Sequence, residues 1–220
     1  MEHNQNSNLA LGFIRGAYND YIAGRVLLNA GYIMQGAILA STAVEKSFKA
    51  VLAIKGISPK WVHMDKIEKL KEGIHEAGYS VLFEKLDPNF LSVLSDVYKI
   101  RYFDNIKEHF SVGFFINQFI GELDHSFAIF ERAYIMEKSD GSEALTPLKM
   151  DLKKGNQDLL ENNWVAKKLN RKEFMENGCI AAGIAVNPIN YFDHLELSSK
   201  PLKDNYMGKI TIIRMVPEKK

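Results

Sequence analysis

The stretch YIMQGAILASTAVEKSFKAVLAIK, residues 32–55, decides the fold. Its apolar side chains recur three and four positions apart, which is the spacing of one face of a long helix. Those positions are Ile33, Ala37, Ala40, Val44, Val51 and Ile54. Gly56 follows as a favourable left-handed helix end, and Pro59 prevents the helix from continuing. We therefore predict a helix over residues 32–55.

Another long helix precedes it, over residues 9–30, and Gly31 separates the two. Its stripe of small and apolar residues comprises Ala10, Ile14, Ala17, Tyr21, Gly24 and Leu28. Two long helices joined by about two residues must lie antiparallel and side by side. Small residues on the later helix predict a close approach between them: Gly36, Ala37, Ala40 and Ala43.

Three further helices are predicted over residues 65–77, 88–101 and 111–138. Asp65 is a candidate N-cap for the first of these, and Pro88 takes the favoured first position of the second. The last has an aromatic inward face, with Phe115, Phe119, Leu123, Phe127, Phe130 and Tyr134. The chain is therefore expected to be mainly α, with an antiparallel bundle of about five helices.

The composition changes at residues 139–147, SDGSEALTP, where Ser, Asp, Gly and Pro cluster as they do in linkers. This divides the chain into a helical bundle over residues 1–138, the linker, and a small α+β appendage over residues 148–220. Candidate strands in the appendage are residues 180–186, 191–197 and 209–216, and residues 157–176 hold one or two short helices.

Hydrophobic residues make up 46% of the chain and charged residues 25%, with a net charge of +1, as in an ordinary globular protein. No strong positive field draws such a chain to RNA, DNA or an acidic membrane. Cys179 is the single cysteine, which excludes an internal disulfide and a cysteine-rich zinc site. The polar start MEHNQNSN and the lack of a membrane-length apolar run favour a cytoplasmic protein. We expect neither a metal nor a cofactor.

Glu45 lies on an apolar stripe of its helix, so its carboxylate should be partly buried and should need a partner. Lys49 is the local candidate, four positions later in the favourable order. Arg101 also continues an apolar stripe, which directs its guanidinium toward the bundle and toward a carboxylate such as Glu45. The alternative is that these residues form ordinary structural ion pairs.

His109 and Arg101 together suggest a nuclease that needs no metal, with a His as acid or base beside an Arg that stabilises phosphate. On one continuous helix, eight positions correspond to about 12 Å and about 80° of rotation, which keeps the two side chains apart. They meet only if the chain turns between them, and Asp104-Asn105 favours a turn. His63, before the third helix, is more typical of a structural hydrogen-bonding group.

Four short motifs follow one another along residues 13–134. They are Ala17, Asp20 and Ala23 in the first helix; Ala40, Ala43, Glu45, Lys46, Lys49, Ala50 and Leu52 in the second; His63 before Ile67 and Leu70; and Tyr98, Arg101 and Tyr102 at the fourth helix end. In this order they resemble the HEPN domain family (higher eukaryotes and prokaryotes nucleotide-binding). The resemblance does not extend to residues 139–220.

This resemblance implies a helical bundle that commonly forms a homodimer. Many HEPN proteins are metal-independent ribonucleases of toxin–antitoxin, anti-phage or RNA-processing systems, with four to six residues between an Arg and a His that lie at a dimer cleft. Others without that signature are associated with nucleotide binding or with a nucleotidyltransferase-like protein partner. Here seven residues separate Arg101 from His109, and Phe103 replaces the family's Pro.

Three hypotheses follow from the sequence. The first is a non-enzymatic HEPN-like module that binds a nucleotide or a partner protein near Glu45, Lys49 and Arg101, with Tyr102 stacking on a base. The second is a metal-independent ribonuclease in which Arg101 and His109 are catalytic. The third is a structural or interaction protein. The departures from the Arg/His signature favour the first hypothesis.

Overall fold

The computed structural model describes residues 2–60, 62–101, 110–134, 145–176, 181–186 and 194–198. The protein is mainly helical, as the sequence predicts. The helices are α1 (Glu2–Asn29), α2 (Ile33–Ile54), α3 (Ile67–Glu76), α4 (Val81–Lys85), α5 (Pro88–Ile100), α6 (Ile116–Ala133), α7 (Pro147–Lys154), α8 (Gln157–Leu160) and α9 (Arg171–Glu176). The strands are β1 (Phe110–Phe115), β2 (Ala181–Val186) and β3 (His194–Ser198).

The two long helices α1 and α2 pack against each other at a pair of glycines. A Cβ atom at Gly24 would lie 3.1 Å from the carbonyl oxygen of Gly36. A Cβ atom at Gly36 would lie 3.0 Å from the carbonyl oxygen of Gly24 and 2.7 Å from Cγ of Leu28. The close approach predicted from small residues is therefore confirmed, and it depends on the absence of side chains at this crossing.

The end of α2 has the conformation that its sequence predicts. Gly56 adopts a φ of +76°, a left-handed conformation that favours glycine. The backbone N–H of Gly56 donates to the carbonyl of Ala53, and that of Ile57 donates to the carbonyl of Leu52. These bonds satisfy carbonyls that the helix end would otherwise leave without partners. Pro59 then follows outside the helix.

Aromatic side chains join α2, α5 and α6 in one core. The rings of Phe48 and Phe130 meet edge to face at 4.9 Å, and those of Phe90 and Phe119 meet at 5.2 Å. All four side chains are fully buried. Edge-to-face contacts between buried rings add to the stabilisation that area burial alone supplies. The inward faces predicted for these helices are therefore confirmed.

Three predicted helix starts are wrong. Helix α1 begins at Glu2 and not at residue 9, so it extends further toward the N-terminus than its predicted apolar stripe. The helix predicted over residues 111–138 begins at Ile116, because Phe110–Phe115 forms strand β1 and pairs with a distant strand. Residues 135–138 lie outside the described residues. The third helix begins at Ile67 after Lys66, without the side-chain cap expected from Asp65, since the backbone turns at residues 63–66. The short helix α4 was not predicted.

The three strands form one antiparallel sheet in the order β1-β2-β3. Phe110 pairs with Val186 at one end of β1, and Phe115 pairs with Ala181 at the other. The strand predicted over residues 180–186 is confirmed as β2, and β3 overlaps the strand predicted over residues 191–197. The strand predicted over residues 209–216 lies outside the described residues.

The helices after the predicted linker pack on the earlier ones. Leu148 of α7 and Leu159 of α8 belong to the hydrophobic core that contains α1, α2, α5 and α6. The hydroxyl of Tyr18 donates to a carboxylate oxygen of Asp151 at 2.7 Å. The predicted domain limits at residues 138 and 148 stay a prediction. Within the described part of the chain, no helix combines the length and apolar character that crossing a membrane requires.

Candidate functional site

The carboxylate of Glu45 is the centre of a polar cluster on the inner side of α2. Glu45 is only 6% exposed. Lys49, one turn later, donates to its Oε1 at 2.6 Å, and the backbone N–H of Met64 donates to its Oε2 at 2.9 Å. The burial and the Lys49 partner predicted from the sequence are both confirmed. A buried carboxylate with two donors is satisfied, so Glu45 can fix the segment before α3 against α2.

His63 extends this cluster from Glu45 to α5. Its Nδ1 lies 3.4 Å from Oε1 of Glu45 and 3.2 Å from the hydroxyl of Tyr98. The rings of His63 and Tyr98 have centroids 6.1 Å apart. His63 therefore connects the segment before α3 with two helices, which agrees with the structural role expected for it. No local pattern predicts this contact, because 35 positions separate His63 from Tyr98 along the chain.

Arg101 reaches the same cluster through the ring of Tyr98. It directly follows the last residue of α5, and its guanidinium carbon lies 4.5 Å from the centroid of the Tyr98 ring. This is a cation–π contact, which holds the guanidinium plane in place while its N–H groups remain donors. The described contacts link Arg101 to Glu45 through Tyr98 and His63, and a direct ion pair between Arg101 and Glu45 is not among them.

We call Glu45, Lys49, His63, Tyr98 and Arg101 the α2–α5 cluster. It holds one carboxylate, one ammonium, one guanidinium and one imidazole. The carboxylate accepts bonds from Lys49 and Met64, and Arg101 adds a guanidinium to the cluster at the end of α5. Such a group is suited to hold a phosphate or a carboxylate of a ligand.

Two residues that the sequence places near Arg101 are not part of this geometry. Tyr102 and His109 lie outside the described residues. Stacking of Tyr102 on a base and a joint Arg101–His109 site therefore stay predictions. Among the residues that the structure describes, no group of three His, Cys, Asp or Glu side chains is placed to hold a metal ion.

A second polar network has a fully buried ion pair at its centre, and no pattern in the sequence predicts it. Arg25 of α1 forms an ion pair with Asp124 of α6, and both side chains have no exposed surface. The hydroxyl of Tyr21 donates to the same carboxylate oxygen at 2.8 Å. Arg25 also donates to the carbonyl of Glu161, and Asn163 donates to the hydroxyl of Tyr21 at 3.2 Å.

Burial shifts the pKa values of two groups in this network. It raises the pKa of Asp124 to about 6, against the opposing effect of the Arg25 charge and of the bonds from Arg25 and Tyr21. Burial also raises the pKa of Tyr21 above its ordinary value, and the neighbouring Asp124 charge adds to the increase. The network joins α1, α6 and the segment after α8, so its role is structural. The one signal in the sequence is an Arg four positions after a core Tyr.

Comparison with known proteins gives no family to which the chain can be assigned. No family model matches the sequence, no curated protein matches it, and no solved structure matches it.

Proposed function

We propose that the protein is a HEPN-like helical module that binds a nucleotide at the α2–α5 cluster. The observation that carries this proposal is the position of Arg101. Its guanidinium is half-buried and lies on the ring of Tyr98 at the end of α5. A planar guanidinium held in this way can donate two parallel hydrogen bonds to a phosphate.

The other members of the cluster support Arg101 rather than compete for the ligand. Glu45 orients Lys49 and lies beside His63, and His63 in turn contacts the hydroxyl of Tyr98. The contact with His63 restricts the Tyr98 ring on which the guanidinium lies. A donor that is already oriented loses less entropy on binding, which favours affinity. Tyr102, next in the chain, is the side chain that we propose to stack on the base.

We also propose that the protein forms a homodimer and that the ligand site lies at the cleft between the protomers. The ground is the order of the motifs at Ala17–Ala23, Glu45–Lys49 and Tyr98–Tyr102, which resembles that of HEPN proteins. A protein partner of the nucleotidyltransferase type is a further candidate for the same surface. Sedimentation at several concentrations measures the oligomeric state directly. A monomer at every concentration would remove the dimer from this proposal.

Calorimetric titration with ATP, AMP and GTP tests the nucleotide site. We expect the wild-type protein to bind at least one of them, and Arg101→Ala to weaken binding about tenfold or more, because a charge-assisted hydrogen bond is lost. Arg15→Ala is the matched control, since Arg15 is an exposed arginine of α1 outside the cluster. Absence of binding to the wild type, or equal losses in both variants, would exclude the nucleotide site.

A ribonuclease is the second candidate, and one observation favours it. Helix α5 ends at Ile100, one residue before Arg101, so the fixed separation along a single continuous helix does not apply to Arg101 and His109. We propose as the alternative that Arg101 stabilises phosphate charge and His109 transfers a proton. Cleavage of RNA without metal by the wild type, lost in His109→Ala, supports this function. Equal activity in both proteins would rule it out.

A further inference from the structure

A cleft with a basic and aromatic lining lies on the far side of α6 from the core aromatics. Its volume is about 350 Å³, and α6 contributes His125 and Arg132 to it. Lys85 at the end of α4 and Trp164 and Lys168 after α8 complete the polar and aromatic part of the lining. Among the described residues that line the cleft there is no carboxylate. A volume of this size is at the lower end of the range for small-molecule sites.

Trp164 is fixed in this cleft by the backbone of α6. Its indole N–H donates to the carbonyl of Gly121 at 2.9 Å. A Cβ atom at Gly121 would lie 3.3 Å from that indole nitrogen and 3.0 Å from Cε of Met175, so the close contact depends on a glycine. The aromatic plane is therefore held before any ligand arrives. An aromatic surface that needs no reorganisation favours stacking by a planar ring.

His125 supplies a second ring, which stacks against the indole at a small angle. The two ring centroids are 5.9 Å apart, and the planes differ by 27°. Burial lowers the pKa of His125, and the charges of Arg171 and Arg132 lower it further, against a bond with the backbone of Lys85. The imidazole is thus mainly neutral near neutral pH, which leaves the positive charge of the cleft on longer side chains.

Lys168 has a backbone conformation that lysine rarely adopts. Its φ is +55°, in the left-handed region, where glycine and asparagine are favoured. Its N–H donates to the carbonyl of Val165, and the next N–H, of Leu169, donates to the carbonyl of Trp164. The turn itself needs only a left-handed residue, so the backbone does not explain why the residue is lysine. An uncommon conformation of this kind is a reason to examine the side chain for a function.

The cations of the cleft are available to a ligand. None of Lys85, Arg132 and Lys168 forms an ion pair within the part of the chain that the structure describes. Lys85, Arg132 and Lys168 are exposed, whereas Trp164 and His125 are half-buried. Three cations at the rim of a cleft that has two rings within it suit a ligand with an aromatic body and an anionic end.

We propose that this cleft is a second ligand site, which takes a mononucleotide-sized molecule with a planar aromatic ring and a phosphate. The ring stacks on Trp164, and the phosphate accepts hydrogen bonds from Arg132 and Lys168. This site shares no residue with the α2–α5 cluster and does not depend on the function proposed for that cluster.

Tryptophan fluorescence measures the occupation of this cleft. The chain has two tryptophans, so Trp61→Phe leaves Trp164 as the reporter. We expect AMP to change the fluorescence of that protein in a saturable manner. Adenosine has the aromatic ring without the phosphate, and inorganic phosphate has the anion without the ring. Each should bind at least about tenfold more weakly than AMP. A response to none of the three probes would overturn the proposal.

Substitutions in the same background assign the response to the cleft. Lys168→Gly removes the ammonium and suits the left-handed backbone, so a loss of AMP binding without loss of thermal stability would support the proposal. Arg132→Ala should weaken AMP binding about tenfold or more. Lys167→Ala is the matched control, since Lys167 is an exposed neighbour that does not line the cleft. AMP binding that survives both Lys168→Gly and Arg132→Ala would refute the site.

Arg101→Ala separates the two sites. If AMP binds in the cleft, the fluorescence response should be unchanged by Arg101→Ala and lost in Arg132→Ala. The reverse pattern would assign the nucleotide to the α2–α5 cluster and overturn the inference about the cleft, while it would support the function proposed for the cluster. A response lost in Lys167→Ala to the same degree as in Arg132→Ala would also overturn it.

Discussion

Arg25 and Asp124 are charged residues in the protein interior, and the charge of each compensates the burial of the other. Both side chains are fully buried, and they form an ion pair between α1 and α6. The cost of removing two charges from water is of the same order as their attraction, so the pair as a whole contributes little to stability. A single charge left behind has no such compensation. The stability of the protein should therefore be far more sensitive to the loss of one partner than to the loss of both.

Arg25→Met should lower the free energy of unfolding by about 3–5 kcal/mol, because the carboxylate of Asp124 remains buried without its partner. The double substitution Arg25→Met with Asp124→Leu should recover most of that loss. Urea unfolding of the wild type, both single variants and the double variant measures the interaction as a mutant cycle. Additive losses in the double variant would show that the two charges do not depend on each other.

The loss in Arg25→Met should also depend on pH. In the wild type, burial already raises the pKa of Asp124 to about 6, above its ordinary value of 3.8. Removal of the Arg25 charge raises that pKa further, so the folded variant holds a proton that the unfolded chain releases. A raised carboxyl pKa means that stability falls as the pH rises through the interval between the unfolded and folded values. The cost of Arg25→Met should thus be larger at about pH 8 than at about pH 5.

At the scale of the elements, the packing of α1 against α2 depends on single glycine residues at their crossing. Gly36→Ala places a methyl group within 2.7 Å of Leu28 and 3.0 Å of the Gly24 carbonyl, so the helices must separate. We expect a loss of about 1–3 kcal/mol from overpacking, partly offset by about 1 kcal/mol from the better helix propensity of alanine. Thermal unfolding of the variant measures the net loss.

Gly12→Ala is the matched control for this crossing. Gly12 lies in the interior of α1, is exposed, and would have no atom within 4 Å of an added Cβ. Only the helix propensity changes there, so this variant should be more stable than the wild type by about 0.5–1 kcal/mol. Equal effects of the same sign in the two variants would show that the crossing does not require glycine.

The elements also show what local sequence can and cannot predict. The stripe of α2 and the pair Glu45–Lys49 depend on residues three or four positions apart, and the structure confirms both. Strand β1 was predicted as helix, because its pairing partner β2 is far along the chain and leaves no trace in the local pattern. The ion pair of Arg25 with Asp124 joins positions 99 apart, and neither residue type alone predicts burial.

The same distinction applies to the two candidate sites. Periodicity predicts Glu45 and Arg101 on inward-facing stripes and Lys49 one turn after Glu45, whereas the contacts through His63 and Tyr98 depend on the fold. The cleft lined by Trp164 and Arg132 combines α4, α6 and the turn after α8. Its residues come from three separate segments, and none of those segments has a motif of its own. Sites that assemble in this way become visible only when the chain is folded.

At the scale of the molecule, the helices after the linker contribute to the same core as the bundle. Leu159 of α8 is fully buried in that core, and the neighbouring segment bonds to Arg25 and Tyr21 of α1. A group of elements that shares one core is expected to unfold together. The predicted division into residues 1–138 and 148–220 concerns the arrangement of elements along the chain. Whether the two parts unfold cooperatively is a separate property, which can be measured.

Leu159→Ala should therefore destabilise the bundle and not only the C-terminal helices. We expect a loss of about 2–5 kcal/mol, as for other buried leucines, and a matching loss of hydrogen-exchange protection in α2, because α2 and α8 share the core. Leu160→Ala is the control, since Leu160 is only half-buried and should cost about 1 kcal/mol or less. If α2 kept its full protection in Leu159→Ala while α7 and α8 lost theirs, residues 148–220 would fold independently of the bundle, and the shared core would contribute nothing to cooperativity.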